Sequence, residues 1–162
     1  DLSSNRIESL LDLCEEVQGK AIIWATWTAD IRSIAEALRS RYSVQAASTL
    51  HGETPDSERQ HIVETFQDRQ SELRFLVGHP KTGGYGLTLT AANTVIYYSN
   101  SYDLELRLQS EDRAHRIGQN NKVTYIDLMS PKTIDEKIVK SLRDKINIAN
   151  QILGESAREW LV

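Results

Sequence analysis

Arg107 to Gln119, RLQSEDRAHRIGQ, holds Arg113 and Arg116 three residues apart, behind an acidic pair and ahead of Ile-Gly-Gln. On a helix, residues at i and i+3 project from one side. Two guanidiniums held there repel each other unless an anion lies between them. The planar, always-charged fork of arginine suits phosphate oxygens. A transferring γ-phosphoryl group gains charge that such a residue stabilises, worth on the order of 10³–10⁵ in rate. Glu111 and Asp112 can instead neutralise the pair and leave a solvated charged face. At this point both readings stand.

The second feature is glycine-rich, Thr82-Gly83-Gly84-Tyr85-Gly86-Leu87-Thr88-Leu89-Thr90, placed after an apolar strand. Glycines let backbone N–H groups approach an anion without side chains in the way. The order is wrong for a P-loop, because Lys81-Thr82 precedes the glycines and Gly19-Lys20 is followed by alanine. A tight turn before a helix is the plainer alternative. Ser110-Glu-Asp-Arg-Ala-His115 superficially looks like a magnesium-positioning acidic box, but such a box needs an apolar strand just before it. Leu104 to Gln109 has a helical pattern instead. Asp127, inside a strand, is expected to be solvent-facing or hydrogen-bonded rather than a metal ligand. The four histidines show no pair at metal-ligand spacing, and one cysteine cannot complete a site. No serine or cysteine nucleophile with its base is detectable.

These residues must be carried by a fold. The chain has 162 residues, 40% hydrophobic and 26% charged, the balance of an ordinary globular protein. Its apolar runs, such as Ala21 to Ala25, fall far below the ~20 residues that span a bilayer. Cys14 is the single cysteine, sits in a helical apolar pattern and is expected in the core. A net charge of −4 and a pI near 5.6 argue against a generic basic coat for nucleic acid, but leave room for local contacts.

Ser3 or Ser4 is expected to cap a helix with Ile7, Leu10, Leu11, Leu13, Cys14 and Val17 inward, ending at Gly19. Lys20 to Ala25 is apolar on both faces, as a buried parallel strand requires. Thr28 or Asp30 starts a helix with Ile31, Ile34, Ala35 and Leu38 on one face. Val44 to Ala47 is the expected second strand, followed by the loop His51 to Pro55. Pro55 suits the first turn of a helix to about Asp68. Further strands are expected at Arg74–Val77, Thr94–Tyr98 and Val123–Met129, and a last helix at Thr133–Leu153 before Gly154. The alternation predicts an α/β fold, a doubly wound, mostly parallel sheet with helices on both faces, in one domain over residues 1–162. Ligands of such sheets bind at the carboxyl ends of the strands.

The order of the motifs resembles a known family. His51-Gly52 with Arg59, Ile62 and Phe66, then Thr82 to Ala92, then Gln109 to Gln119, is similar to the second RecA-like lobe of a Snf2-family helicase-like ATPase of superfamily 2, over about residues 5–150. The resemblance implies a RecA-like fold. It matches Ile22–Trp27 to motif IV, Gly83–Thr90 to motif V and Gln109–Gln119 to motif VI. By the same token Arg116 is the arginine finger and Arg113 its companion. Gln109, Gly84 and Gly86 bind nucleotide, while Thr26, His51, Gly52, Lys81, Thr82, Gly83 and Thr88 face DNA. The sequence departs from the family at His79, where Ser or Thr is usual, at Thr88, where Asn is usual, and in Trp24-Ala-Thr-Trp27, which replaces a phenylalanine-serine pattern. These departures touch the DNA side and leave the ATP side intact.

The P-loop and acidic box belong to the family's preceding lobe, and the chain opens on Asp1 rather than methionine. The expectation is therefore a carboxy-terminal fragment with the arginine half of a composite site, needing the first lobe, ATP and Mg2+. The whole protein is then a translocase on double-stranded DNA, with no membrane segment. It is expected in the cytoplasm of a prokaryote or phage host, or in a nucleus if eukaryotic. Without visible nucleosome-specific segments, a bacterial, archaeal or phage motor is favoured. A nucleotide-independent DNA- or protein-binding module and an unrelated phosphate-binding α/β domain are the alternatives.

Overall fold

Lys20–Trp24 (β1) is buried along its whole length, so it can only occupy the middle of a sheet covered on both sides. The structure, a computed structural model, describes residues 2–82, 87–115 and 122–153. Around β1 lie Ala47–Leu50 (β2), Phe75–Gly78 (β3), Ala92–Tyr97 (β4) and Thr124–Asp127 (β5), in the order β2-β3-β1-β4-β5, all parallel. The helices are Leu2–Glu16 (α1), Thr28–Arg41 (α2), Asp56–Gln67 (α3), Leu104–Ala114 (α4) and Ile134–Leu153 (α5).

The two-residue period of a strand divides the core. Ala21, Ile23 and Ala25 join Phe75, Val77, Ile96 and Tyr98 under α1 and α2, where Leu10, Cys14, Ile31, Ile34 and Leu38 are buried. Ile22 and Trp24 face the other way, with Leu76, Val95 and Tyr97, against Phe66 of α3 and Ala114 of α4. The expected α/β architecture is thus observed. Cys14 lies in the core as expected, and burial pushes its thiol up to about 12 against a smaller opposing pull from Arg74.

Several boundaries differ from the sequence reading. Val44 is exposed in a 3-10 turn over Val44–Ala46, and the strand begins at Ala47, where Ala47 and Leu50 turn inward. The apolar look of Val44 misplaced the strand by three residues, leaving only Ala47 in common. Ser3 and Ser4 lie inside α1 rather than capping it. α2 begins at Thr28, as expected, with Trp27 at its N-cap supplying no side-chain bond. Pro55 sits at the N-cap of α3, one residue before its first turn.

A buried lysine and a half-buried arginine close the helix ends, where carbonyls lack partners and the helix dipole favours positive charge. Lys20 Nζ donates to the carbonyls of Phe66 (2.8 Å) and Asp68 (2.7 Å) and to Ser71 Oγ (2.8 Å) at the end of α3. Arg74 donates to the carbonyl of Gly19 (2.9 Å) and to that of Val17 beyond α1. Gly19 turns the chain there with φ +88. Among the described residues no helix is long and apolar enough to cross a membrane.

Gly78 lets β2 and β3 approach closely. A Cβ there would lie 2.6 Å from the Leu50 carbonyl oxygen, a backbone atom that cannot swing aside. Gly78→Ala is expected to lower the unfolding free energy by about 1–3 kcal/mol, the usual cost of overpacking, measured by urea denaturation. An unchanged midpoint would mean that the strand pair yields freely. Cys14 is expected to resist maleimide at pH 8 in the folded chain and to react on unfolding; rapid labelling of the native chain would contradict its burial.

Candidate functional site

The chain leaves β1 toward β3 and β2 on one side, and only later reaches β4 and β5 on the other. The switch point therefore falls at the carboxyl end of β1, where a doubly wound sheet opens a crevice. A cavity of about 380 Å³ lies there, lined by Thr26 after β1, His79 and Lys81 after β3, Ser99 and Asn100 after β4, and Arg107 of α4, among others. A second cavity of about 340 Å³ is lined by Pro80, Lys81, Asp103, Glu105, Leu106, Gln109 and Arg113. Pro80, Lys81, Asp103 and Leu106 belong to both, forming a shared wall.

Asp103 starts α4 by accepting from the Leu106 N–H at 3.0 Å, an N-cap bond. Glu105, Gln109 and Arg113 then fall at i, i+4 and i+8 on one stripe, and all three line the second cavity. Gln109 Nε2 donates to Glu105 Oε1 at 3.1 Å. The inward stripe is polar. Arg107 donates from Nη1 and Nη2 to the two carboxylate oxygens of Asp127 (2.6 and 3.0 Å), from Nη1 to Asn100 Oδ1 (2.8 Å) and from Nε to Glu111 Oε1 (2.9 Å). Its guanidinium lies 3.6 Å from the centroid of the Tyr97 ring. Burial disfavours the Arg107 charge, yet the bonds to Asp127 and Glu111 outweigh it and hold its pKa above the ordinary value. Burial pushes the Tyr97 phenol up, and its oxygen lies 2.7 Å from Ser110 Oγ.

Sequence reasoning had singled out neither Arg107 nor Asn100, and had expected Asp127 only to be solvent-facing or hydrogen-bonded. Arg107 and Glu111 stand at i, i+4, a signal readable in the sequence, but attention to Arg113 and Arg116 masked it. Neutralisation of those two arginines by the acidic pair is the alternative sequence reading; the Glu111 carboxylate engages Arg107. α4 ends at Ala114, and His115 is extended at φ −115, ψ 108; Arg116, and with it the expected spacing from Arg113, lies outside the described residues.

The described candidate residues fall in three groups. Thr26, Lys81, Gln109 and Arg113 line the two cavities. The Thr26 N–H donates to Ser99 Oγ at 2.8 Å, tying the ends of β1 and β4 together. His51 and Gly52 lie in the β2–α3 loop, where the Thr54 N–H donates to the His51 carbonyl and Arg59 donates to that of Gly52 (3.2 Å). Neither lines a cavity. Thr82 and Thr88 are half-buried and stand outside both linings. Gly83, Gly84, Gly86 and Arg116 lie outside the described residues. Past the glycines, the Leu89 N–H donates to the Arg113 carbonyl (2.9 Å), and Gln67 bridges Thr90 Oγ1 and the Ala91 N–H, so the loop exit is clamped between α3 and α4.

Known proteins are similar to this chain in sequence and fold. The helicase conserved C-terminal domain family matches residues 5–118. The chromatin-remodeling ATPase INO80 of Homo sapiens is 37% identical over 105 residues, 65% of this chain and 7% of that protein. Protein CHROMATIN REMODELING 19 of Arabidopsis thaliana is 32% identical over 149 residues, 91% of this chain and 19% of that protein. The crystal structure of the C-terminal part of the Fun30 ATPase domain superposes with a TM-score of 0.76 at 27% identity, covering 85% of this chain and 44% of that one.

At the shared wall, His79 Nδ1 accepts the Lys81 N–H at 3.0 Å, which requires that nitrogen to be unprotonated. Burial, and then the Lys81 charge, lower the His79 pKa from 6.5. The folded chain thus favours neutral imidazole. The resulting stability is complete above pH 6.5 and is lost as pH falls through the lower folded value. In a pH titration by NMR, the Lys81 amide is expected to shift with a midpoint below 6.5; a midpoint above it would contradict the contact.

Proposed function

This chain belongs to the helicase conserved C-terminal domain family, as the second RecA-like lobe of a Snf2-type ATPase, and from that premise we propose that it supplies the arginine half of a composite ATP site in a DNA translocase. The single observation that carries the reading is the stripe of Gln109 and Arg113 on α4, lining the second cavity together with Lys81. Two cations and an amide suit the oxygens of a triphosphate, while Asp103 and Glu105 on the same lining keep the site from being a general anion trap. In this proposal Arg116 is the finger that meets charge developing on the γ-phosphoryl, and Arg113 its companion.

ATP and Mg2+ would be held mainly by a first lobe, to which this chain is a half-site; Lys81, Gln109 and Arg113 would meet the phosphates from this side, and the ion would supply charge neutralisation. The lining here contributes donors rather than a carboxylate cage. Residues 1–162 act as one lobe. Lobe closure assembles the site and opening after hydrolysis steps it along duplex DNA, without separating the strands. Thr26 and Lys81, with His51, Gly52, Thr82, Gly83 and Thr88, face the DNA backbone, and Gly84 and Gly86 the nucleotide. The Homo sapiens relative is a chromatin-remodeling ATPase by name and the Arabidopsis thaliana relative carries chromatin remodeling in its name, which favours a nuclear setting over the prokaryotic or phage one.

The full-length protein is expected to hydrolyse ATP when DNA is added, and Arg116→Ala to lower turnover at least ~100-fold. DNA-stimulated hydrolysis that survives this change would sink the finger assignment. Robust hydrolysis by residues 1–162 alone would contradict the half-site.

A further inference from the structure

A helix presents a given face only if something fixes its rotation, since each residue turns the surface by about 100°. Most helices are indexed by an apolar stripe. α4, LELRLQSEDRA, has little of one: Leu108 and Ala114 are its only fully buried apolar residues, and Ala114 is small. The remaining inward positions are Arg107, Ser110 and Glu111. Here the polar side of the helix does what an apolar stripe does elsewhere.

One guanidinium gathers most of those contacts. It reaches β5 through both oxygens of Asp127, the β4–α4 turn through Asn100 and the next turn of α4 through Glu111, and it lies flat on Tyr97 of β4. Asn100 Nδ2 also donates to Asp127 Oδ1 at 2.9 Å, so the acceptor is itself held. Ser110 against Tyr97 and the Tyr125 hydroxyl on the Glu111 carbonyl (3.1 Å) reinforce the same face. A planar fork paired bidentately and stacked on a ring fixes orientation as well as distance. Opposite this anchor stand Gln109 and Arg113 at the second cavity.

We propose that Arg107 is a positioning residue for ATP hydrolysis: by locking α4 to β4, β5 and the β4–α4 turn, it sets the angle at which Gln109 and Arg113 meet the nucleotide. The inference rests on the ATP reading above. It predicts a loss in turnover that is separate from DNA affinity. Lysine keeps the charge but not the fork, so it can satisfy one partner and not the plane.

The test is DNA-stimulated ATP hydrolysis by the full-length protein, with ATP and DNA each varied. It is run at a temperature where circular dichroism shows wild type and R107K folded. Hydrogen exchange over residues 104–114 is followed in parallel. R107K is expected to lower kcat about tenfold to hundredfold, as small misplacements of catalytic groups do, to leave the DNA half-saturation point unchanged, and to speed exchange in α4. D127N, which keeps the arginine and removes an anchor charge, is expected to shift kcat the same way by a smaller factor, and it replaces R107K if that variant does not fold. An unchanged kcat in an active protein overturns the positioning role, whether or not exchange in α4 rises. A fall in kcat matched by an equal weakening of DNA binding marks general loosening and also overturns it. A wild type without DNA-stimulated hydrolysis overturns the reading of the preceding subsection, and the positioning role falls with it.

Discussion

A strand that is apolar on both faces cannot lie at the edge of a sheet or beside water, and β1 is such a strand. Its burial requires neighbours on both sides and helices on both faces. Parallel pairing requires each return to cross over one of those faces. Once β3 and β2 occupy one flank and β4 and β5 the other, the crossovers diverge from the end of β1. The crevice that results is a consequence of topology, and Thr26, His79, Ser99 and Arg107 line it because their strands end there or, for Arg107, because its helix packs there.

The polar groups inside this framework share one logic. Lys20, Arg74 and Arg107 are cations drawn out of water, which is costly unless each hydrogen-bonding direction finds an acceptor. Lys20 and Arg74 find carbonyls at the ends of α3 and α1, where the backbone has none to spare inside the helix. Arg107 finds two carboxylates, an amide oxygen and a ring. The first two secure helix ends, whereas Arg107 orients a helix that carries candidate site residues.

Much of this was legible in the residues. Apolar periodicity located α1, α2 and α3, and the continuous run at β1 identified a parallel sheet. What was missed depends on contacts distant in sequence. Asp127 could be recognised as hydrogen-bonded, but its partner twenty positions earlier could not, because pairing across β5 and α4 exists only after folding. Val44 read as strand because valine favours strands, yet the register with β3 selects Ala47 to Leu50. The arginine pair reads as one face of a helix because nothing in the sequence marks Ala114 as the last residue of α4.

The shared wall of the two cavities carries a thermodynamic obligation. Lys81 is the cation bordering both spaces, beside Asp103, with its backbone N–H fixed to His79 and its side chain exposed. An anion in one cavity draws that charge toward itself and changes the field in the other. Whatever free energy the first occupant adds to or removes from the second, the second returns in equal measure to the first. A wall one residue thick therefore makes the two sites accountable to each other, in equilibrium terms, without any movement of the sheet beneath them.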